Sequence, residues 1–388
     1  MKIVGFLVFL SIILGIHFVT NFYIYTRGVQ ALESLPQYRN YFRVFILFMS
    51  FTYIIGRVLE RFWISPVSDI FHWAGAFWFA FMLYLFILLM SIDLVRLGNV
   101  FFNFLPDVGS IAYNALKIKS FIGVGLVSII VVLAGFINAW NPKITELNIS
   151  INKSGGEFSQ LRIVAATDIH LGTIIAKRKS TKLVKKINQL NPDIILFAGD
   201  ILDEDVKPVI RQDLGSYLKE LSAPLGIFAS TGNHEYIGGF ERSVAYLRDH
   251  GITMLEDSVI LLNSSIYIAG RKDRDSQRFN GLGRVEVKDL LAHVDKSKPI
   301  LLLDHQPYNL NAAMNEGVDF QLSGHTHHGQ LWPFGYITDA IFELSHGYLL
   351  KGNTHFYVST GYGTWGPPVR LGNRPEILVF NLVFTGQK

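Results

Sequence analysis

Apolar and polar positions divide the chain into two unlike stretches. Ile3 to Tyr25, Ile70 to Ile92 and Ser120 to Trp140 contain no charged residue. Each is at least as long as the roughly 20 residues a helix needs to cross a bilayer. A fourth run, 41–60, is interrupted, because only 13 residues separate Arg43 from Arg57. Long arginine side chains reach the interfaces, so a crossing is still expected there. The pattern predicts four helices, 3–25, 41–60, 70–92 and 120–140, making a transmembrane domain of 1–140. Trp63, Trp73, Trp78 and Trp140 lie near or inside the segment ends, partly matching an aromatic belt. The first run exceeds the apolar core of a signal peptide and no small-residue cleavage site follows, so it reads as retained. His17 and His72, with Asn21 nearby, read as satisfied contacts between helices rather than a proton relay.

After Trp140 the pattern changes. Asn141-Pro142 breaks the helix and Ile144 to Ile151 alternates like a strand. Short apolar runs then recur, each closing on polar residues. Leu161–Ala166 leads into Asp168, Ile194–Ala198 into Asp200, and Ile227–Ser230 into Gly232-Asn233-His234. Ile300–Leu303 leads into Asp304-His305, and Phe320–Leu322 into Gly324-His325. Helical patterns such as Ser180 to Leu190 lie between them. Runs of this kind are strands buried on both faces. Polar groups at their C-terminal ends place a site at the edge of an α/β sheet, within a second domain of 141–388.

Composition sharpens this division. Half the residues are apolar and only 17% are charged, against about 25% in soluble domains. Net charge is +4, and much of the basic excess flanks the apolar runs, which suits anionic headgroups. No basic stripe with interleaved aromatics appears, so nucleic acid is not an expected partner. There is no cysteine, which excludes disulfides and thiolate metal sites. Arg27, Arg39, Arg43, Arg96, Lys117 and Lys119 flank one side of four crossings; Lys2, Arg57, Arg61 and Lys143 flank the other. Six against four puts the C-terminal domain outside the cytoplasm.

The polar residues at the strand ends carry the chemistry. Asp168 and His170 are two apart and point the same way from an extended segment. Asp200 adds a carboxylate. Asn233 and His234 add an amide oxygen and an imidazole, and His305, His325 and His327 add three imidazoles. A nitrogen and oxygen set without thiolate suits Mn, Fe, Zn, Co or Ni. His250, His293, His346 and His355 fall outside this order and read as surface or satisfied core. Arg178, Lys179 and Lys182 read as a solvated patch at the start of a helix.

In this order the residues resemble the calcineurin-like metallophosphoesterase superfamily, whose pattern is D-x-H, G-D-x-x-D, G-N-H-[DE], a lone His, and G-H-x-H. The chain has Asp168/His170, Gly199-Asp200-Ile201-Leu202-Asp203, Gly232 to Glu235, His305, and Gly324 to His327. Gly324 to Pro333 and Thr360 to Arg370 resemble the branch of membrane-attached bacterial phosphodiesterases and transmembrane metallophosphoesterases. His328 stands where that branch usually has Gly. The resemblance implies two packed mixed sheets flanked by helices. The fold class expected is therefore an N-terminal α-helical membrane bundle plus a C-terminal α/β metallophosphoesterase domain. It also implies two divalent metal ions, the first on Asp168, His170, Asp200 and His327, the second on Asp200, Asn233, His305 and His325. Asp200 would bridge them. His234, oriented by Asp203, would serve as the acid for the leaving oxygen.

The activity expected is hydrolysis of a phosphoester or pyrophosphate bond. The substrate would be a phosphorylated small molecule or lipid, most simply a lipid-linked one met at the surface of a bacterial cell membrane. UDP-2,3-diacylglucosamine, cleaved in lipid A synthesis on the cytoplasmic face, is the alternative substrate. A non-catalytic metal-binding scaffold is the alternative of another class. Arg271, Arg274 and Arg278 lie in a polar loop able to grip a second phosphate, and Arg370 in the closing loop is a further phosphate candidate.

Overall fold

The structure, a computed structural model, describes residues 2–279, 281 and 283–386. It divides into two units, Met1–Ile137 with Gly366–Val369, and Asn138–Trp365 with Arg370–Lys388.

The first unit holds helices α1 (Lys2–Ala31), α2 (Pro36–Phe62), α3 (Pro66–Phe102) and α4 (Ile111–Ala139). Among the described residues, α2, α3 and α4 are long and apolar enough to cross a membrane; α1 is of similar length, at 30 residues. The helices outrun the charge-free windows because a charge ends an apolar run without ending a helix. Thus α3 passes through Asp93 and Arg96 to reach 37 residues. Its true signals are Ser65, which caps the first turn through Ser68, Pro66 at the first position, and Asn103 in the left-handed conformation at its end.

Helices α2 and α3 approach through glycine. A Cβ on Gly75 would overlap the Tyr53 backbone, and one on Gly56 the His72 backbone. Small residues let membrane helices close to this distance, where dispersion replaces the hydrophobic effect. Some of the buried polar groups are paired across helices, as lipid favours: His17 Nε2 donates to Ser50 O at 2.8 Å and Trp78 Nε1 to Asn21 Oδ1 at 2.9 Å, while Asn21 Nδ2 donates to His17 O at 2.8 Å within α1. His17 is a satisfied interhelical contact.

The second unit is built on twelve strands: β1 (Lys143–Ile151), β2 (Gln160–Ala166), β3 (Ile194–Ala198), β4 (Ile227–Ser230), β5 (Thr253–Leu255), β6 (Ser258–Leu262), β7 (Ile266–Gly270), β8 (Ile300–Leu303), β9 (Phe320–Ser323), β10 (Gly347–Lys351), β11 (Thr354–Val358) and β12 (Glu376–Phe384). They form two six-stranded sheets, ordered β1-β12-β2-β3-β4-β5 and β10-β11-β9-β8-β7-β6. Both are mixed. β12 runs parallel to β1 and antiparallel to β2, while β2 through β5 are parallel; in the second sheet β7, β8, β9 and β11 are parallel.

Alternation along the strands explains how the sheets stack. Leu301 and Leu303 of β8 join Phe320 and Leu322 of β9, and these share one cluster with Ile163 and Ala165 of β2, Leu196 of β3 and Phe380 of β12. The intervening Ile300 and Leu302 face the other way, toward Leu310, Val318 and Phe356. Each fully buried side chain of this size contributes about 1.5–3 kcal/mol, whereas an exposed ion pair contributes about 0–1 kcal/mol. The inter-sheet cluster therefore sets how the two sheets register. The strand-like runs read from sequence coincide with β1, β2, β3, β4, β8 and β9.

The helix expected over 180–190 is α5 (Lys177–Gln189), with Leu183, Val184 and Ile187 buried. One expectation about it fails. Lys179 is not on a solvated patch: it is buried, donates to Ala139 O at 2.9 Å and lies 5.1 Å from the Tyr362 ring centre. Burial, reinforced by Arg370, holds its ammonium well below the ordinary range. Lys182 likewise donates to Trp140 O at 2.7 Å. Both lysines find carbonyl acceptors that a sequence pattern does not reveal.

Candidate metal centre

Every candidate metal ligand, with Asp203 and His234, sits just beyond the C-terminal end of a parallel strand. Asp168 and His170 follow β2, Asp200 and Asp203 follow β3, and Asn233 and His234 follow β4. His305 follows β8, and His325 and His327 follow β9. The chain must turn sharply there to aim side chains along the sheet edge. Asp168, His170, Asp200, His325 and His327 all have positive φ, between 45° and 70°. Such backbone is costly for non-glycine residues, and it clusters where function over-determines it. Gly232 answers a closer constraint, since a Cβ on it would overlap Asp200 Oδ1 and the Asp200 backbone nitrogen.

The side chains converge in three overlapping groups of three: Asp168, His170 and His327; Asp200, His305 and His325; and His170, Asp203 and His234. In the first, His170 Nε2 and His327 Nε2 are 3.0 Å apart, and His327 Nε2 is 3.4 Å from Asp168 Oδ1. In the second, His305 Nε2 is 3.1 Å from Asp200 Oδ2. His325 Nδ1 is 2.9 Å from Asn233 Oδ1, which brings the amide to the second group. Asp200 Oδ2 also lies 3.9 Å from His170 Nε2, so it stands between the groups. His234 Nδ1 is 3.2 Å from Asp203 Oδ1, and its ring centre is 4.5 Å from that of His170.

This donor set fits divalent cations. Burial pushes the His170 and His325 imidazoles down to about 3, so both are neutral at pH 7 and offer lone pairs. Two buried ring nitrogens 3.0 Å apart can hold only one hydrogen between them, whereas a shared cation satisfies both. His305 Nδ1 donates to Ala198 O at 2.8 Å. That bond fixes the tautomer and turns Nε2 toward Asp200, as for histidines that bind metal. Burial works against the Asp200 carboxylate, but His305 and His234 hold it well below the ordinary range. Burial also opposes the His234 imidazolium, but Asp200 and Asp203 push it up to about 9. The centre thus combines neutral imidazoles at His170 and His325, an ionised Asp200 carboxylate and a protonated His234, and against its own burial His305 is likewise held well above the ordinary range by Asp200.

Glu235 does a job that its place in the G-N-H-E motif does not disclose. Its buried carboxylate accepts from Gly232 N at 2.7 Å, Asp200 N at 3.1 Å and Leu202 N at 3.0 Å. It ties the β3 and β4 turns together from behind. Glu235→Ala strands three buried N–H groups, each costing about 1–3 kcal/mol. A loss of at least about 3 kcal/mol is expected, which for a unit of this size lowers the thermal transition by roughly 6–12 °C. A calorimetric scan of the variant in detergent reads this directly, and an unchanged transition refutes the brace.

Arg370 does not fill the phosphate role considered for it. Its guanidinium is buried, and it donates to Gly363 O, Thr360 O and Asn373 Oδ1. Its Nη2 also lies 2.9 Å from His327 Nδ1. It braces the closing loop and the His327 ring. His346, read as surface or satisfied core, is exposed and packs on His328 with ring centres 3.7 Å apart.

Comparison with known proteins places the chain in a family. The calcineurin-like phosphoesterase family matches residues 161–329. An uncharacterized metallophosphoesterase of Aquifex aeolicus is 34% identical over 226 residues, covering 58% of this chain and 85% of that protein. An uncharacterized metallophosphoesterase of Campylobacter jejuni is 29% identical, covering 97% of this chain and 98% of that one. A Danio rerio protein described as a transmembrane protein with a metallophosphoesterase domain is 28% identical, covering 90% and 82%. With the two mixed sheets and the His/Asp clusters in place, the chain belongs to the calcineurin-like metallophosphoesterases, divalent-metal hydrolases of phosphoester bonds.

Proposed function

We propose that the protein is a membrane-anchored phosphodiesterase that works with two divalent ions. The observation that carries this is the pair of donor groups, Asp168/His170/His327 and Asp200/His305/His325 with Asn233, on either side of one carboxylate. When bound, two ions would neutralise charge on the phosphoryl oxygens and activate water. Asp200 is the residue placed to serve both, since a carboxylate alone offers two anionic oxygens. His234 holds a proton within reach of the centre, and Asp203 fixes its ring through Nδ1. His234 gives that proton to the departing oxygen, the step a poor leaving group needs most. The apolar helices support a lipid-linked substrate, because an anchored site meets amphiphiles without extracting them from the bilayer.

Metal content and turnover test this together. Detergent-purified full-length protein loaded with manganese is expected to carry about two ions per chain and to hydrolyse bis(p-nitrophenyl) phosphate. Chelation should abolish turnover, and manganese should restore it. A protein that holds one ion or none, or that turns over equally well after chelation, sinks the proposal. An inert protein that keeps both ions instead supports a non-catalytic scaffold.

A further inference from the structure

Beside the metal centre, the second unit has a cationic cavity of about 320 Å³ lined by Arg271, Arg274, Arg284, Glu286, Tyr308 and Asn309. Its three guanidinium groups have different duties. Arg271 is buried, and its Nη1 lies 2.8 Å from Asp304 Oδ2. Arg284 Nη1 lies 2.9 Å from Asp304 Oδ1. One carboxylate thus holds two arginines, and Glu286 reaches only within 4.0 Å of Arg271 from an exposed position. Among the described residues, Arg274 has no carboxylate partner. It is exposed and lies 4.0 Å from the centre of the Tyr308 ring, which supports its planar head by a cation–π contact. Three cations facing two anions leave the cavity with a net positive charge, carried on a preorganised planar donor.

Ring contacts link Tyr308 of the cavity lining to the metal centre. The Tyr308 ring packs on Phe342 at 4.8 Å, and Phe342 lies 6.2 Å from the His325 ring. Arg274 is close enough to bear on the His325 imidazole. A substrate with its reacting phosphorus at the centre would reach Arg274 by passing His325 and Phe342. Arg278, also in this loop, is not part of the lining; its guanidinium lies over Phe279, 5.5 Å from the ring centre.

We propose that this cavity seats a second phosphate of the substrate, so that the preferred substrates are diphosphate diesters rather than isolated monoanionic diesters. This rests on the metallophosphoesterase reading and extends it to a substrate class. Guanidinium groups bind phosphate through two parallel hydrogen bonds, and the Asp304-held pair supplies a fixed positive floor. In the reaction, water oxygen bonds to one phosphorus and the bridging P–O bond breaks. The two protons of water leave with, or ionise from, the two phosphomonoester products. No oxidant or co-reactant is needed.

The test uses detergent-purified full-length protein and the R274Q variant. Binding of imidodiphosphate, which resists hydrolysis, is compared with binding of inorganic phosphate by calorimetry. Wild type should prefer imidodiphosphate, and R274Q should lose about 10–100-fold of that affinity. R274K should recover part of it through charge alone. A wild type without the preference, or an R274Q protein that keeps it, overturns the proposal whether or not the protein proves to be an enzyme. In turnover, kcat/KM on a nucleoside diphosphate sugar and on a prenyl diphosphate diester in micelles should fall at least tenfold more in R274Q than on bis(p-nitrophenyl) phosphate. Whichever diphosphate is the better wild-type substrate identifies the source of the phosphate. An equal fall on all three substrates makes Arg274 a support for the metal centre and defeats the proposal.

Discussion

Asp200→Asn is expected to lower kcat on a phosphodiester by about a thousandfold or more and to strip manganese from the purified protein. Asparagine keeps the shape and the Oδ1 that accepts from His234 N at 2.9 Å, so the turn after β4 should stay in place. What disappears is the anionic oxygen 3.1 Å from His305 Nε2 and 3.9 Å from His170 Nε2. The two donor groups then share no charge, and their neutral imidazoles are left to hold cations almost alone. Losing about 4 kcal/mol of transition-state stabilisation corresponds to roughly a thousandfold in rate. Elemental analysis read beside turnover separates the causes. A variant that keeps its manganese and loses activity makes Asp200 an orienting group, and one that keeps both activity and metal removes the carboxylate from the centre.

His234→Asn should lower kcat by about 10²–10⁴-fold on a diester with an alkyl leaving group, the range for a positioned general acid. The loss should be far smaller on a p-nitrophenyl ester, whose departing oxygen needs little help from a proton. Asp200 and Asp203 favour the imidazolium so strongly that it persists to about pH 9. Manganese content read beside turnover separates the roles: content that holds leaves His234 as the acid, and content that falls makes it a ligand beside His170 and Asp203. An equal fall on both esters would show that His234 binds or positions substrate instead of donating a proton.

The donor residues were legible in the sequence for a physical reason. A buried parallel strand is a continuous apolar run, so the polar residues that follow it mark the sheet edge. Asp168, Asp200, Asn233, His305 and His325 each lie two or three residues past a strand end. The strands that stayed hidden lack this punctuation. β6 is a half-buried hairpin partner of β7, and β10 alternates partly buried and exposed positions beside β11. Roles set by tertiary contact were hidden as well. Nothing local to Arg370 says that it lies behind His327 rather than over a phosphate. Nothing local to Lys179 says that its ammonium ends on Ala139 O. In the helical unit, hydropathy located the apolar runs, but the ends of α3 were written in Ser65, Pro66 and Asn103 instead.

The placement of β12 has a consequence for biosynthesis. Residues 376–384 lie between β1 and β2, pairing Lys143 with Glu376 on one side and Ala165 with Leu378 on the other. The edge that presents Asp168 and Asp200 is therefore incomplete while the nascent polypeptide still holds residue 384 inside the ribosome. Helices α1 to α4 emerge first and can enter the translocon during translation, but the sheet must wait for a partner more than 200 positions downstream of β1. Cation loading then follows synthesis, and a premature stop codon between residues 140 and 376 yields the apolar helices with no assembled hydrolase.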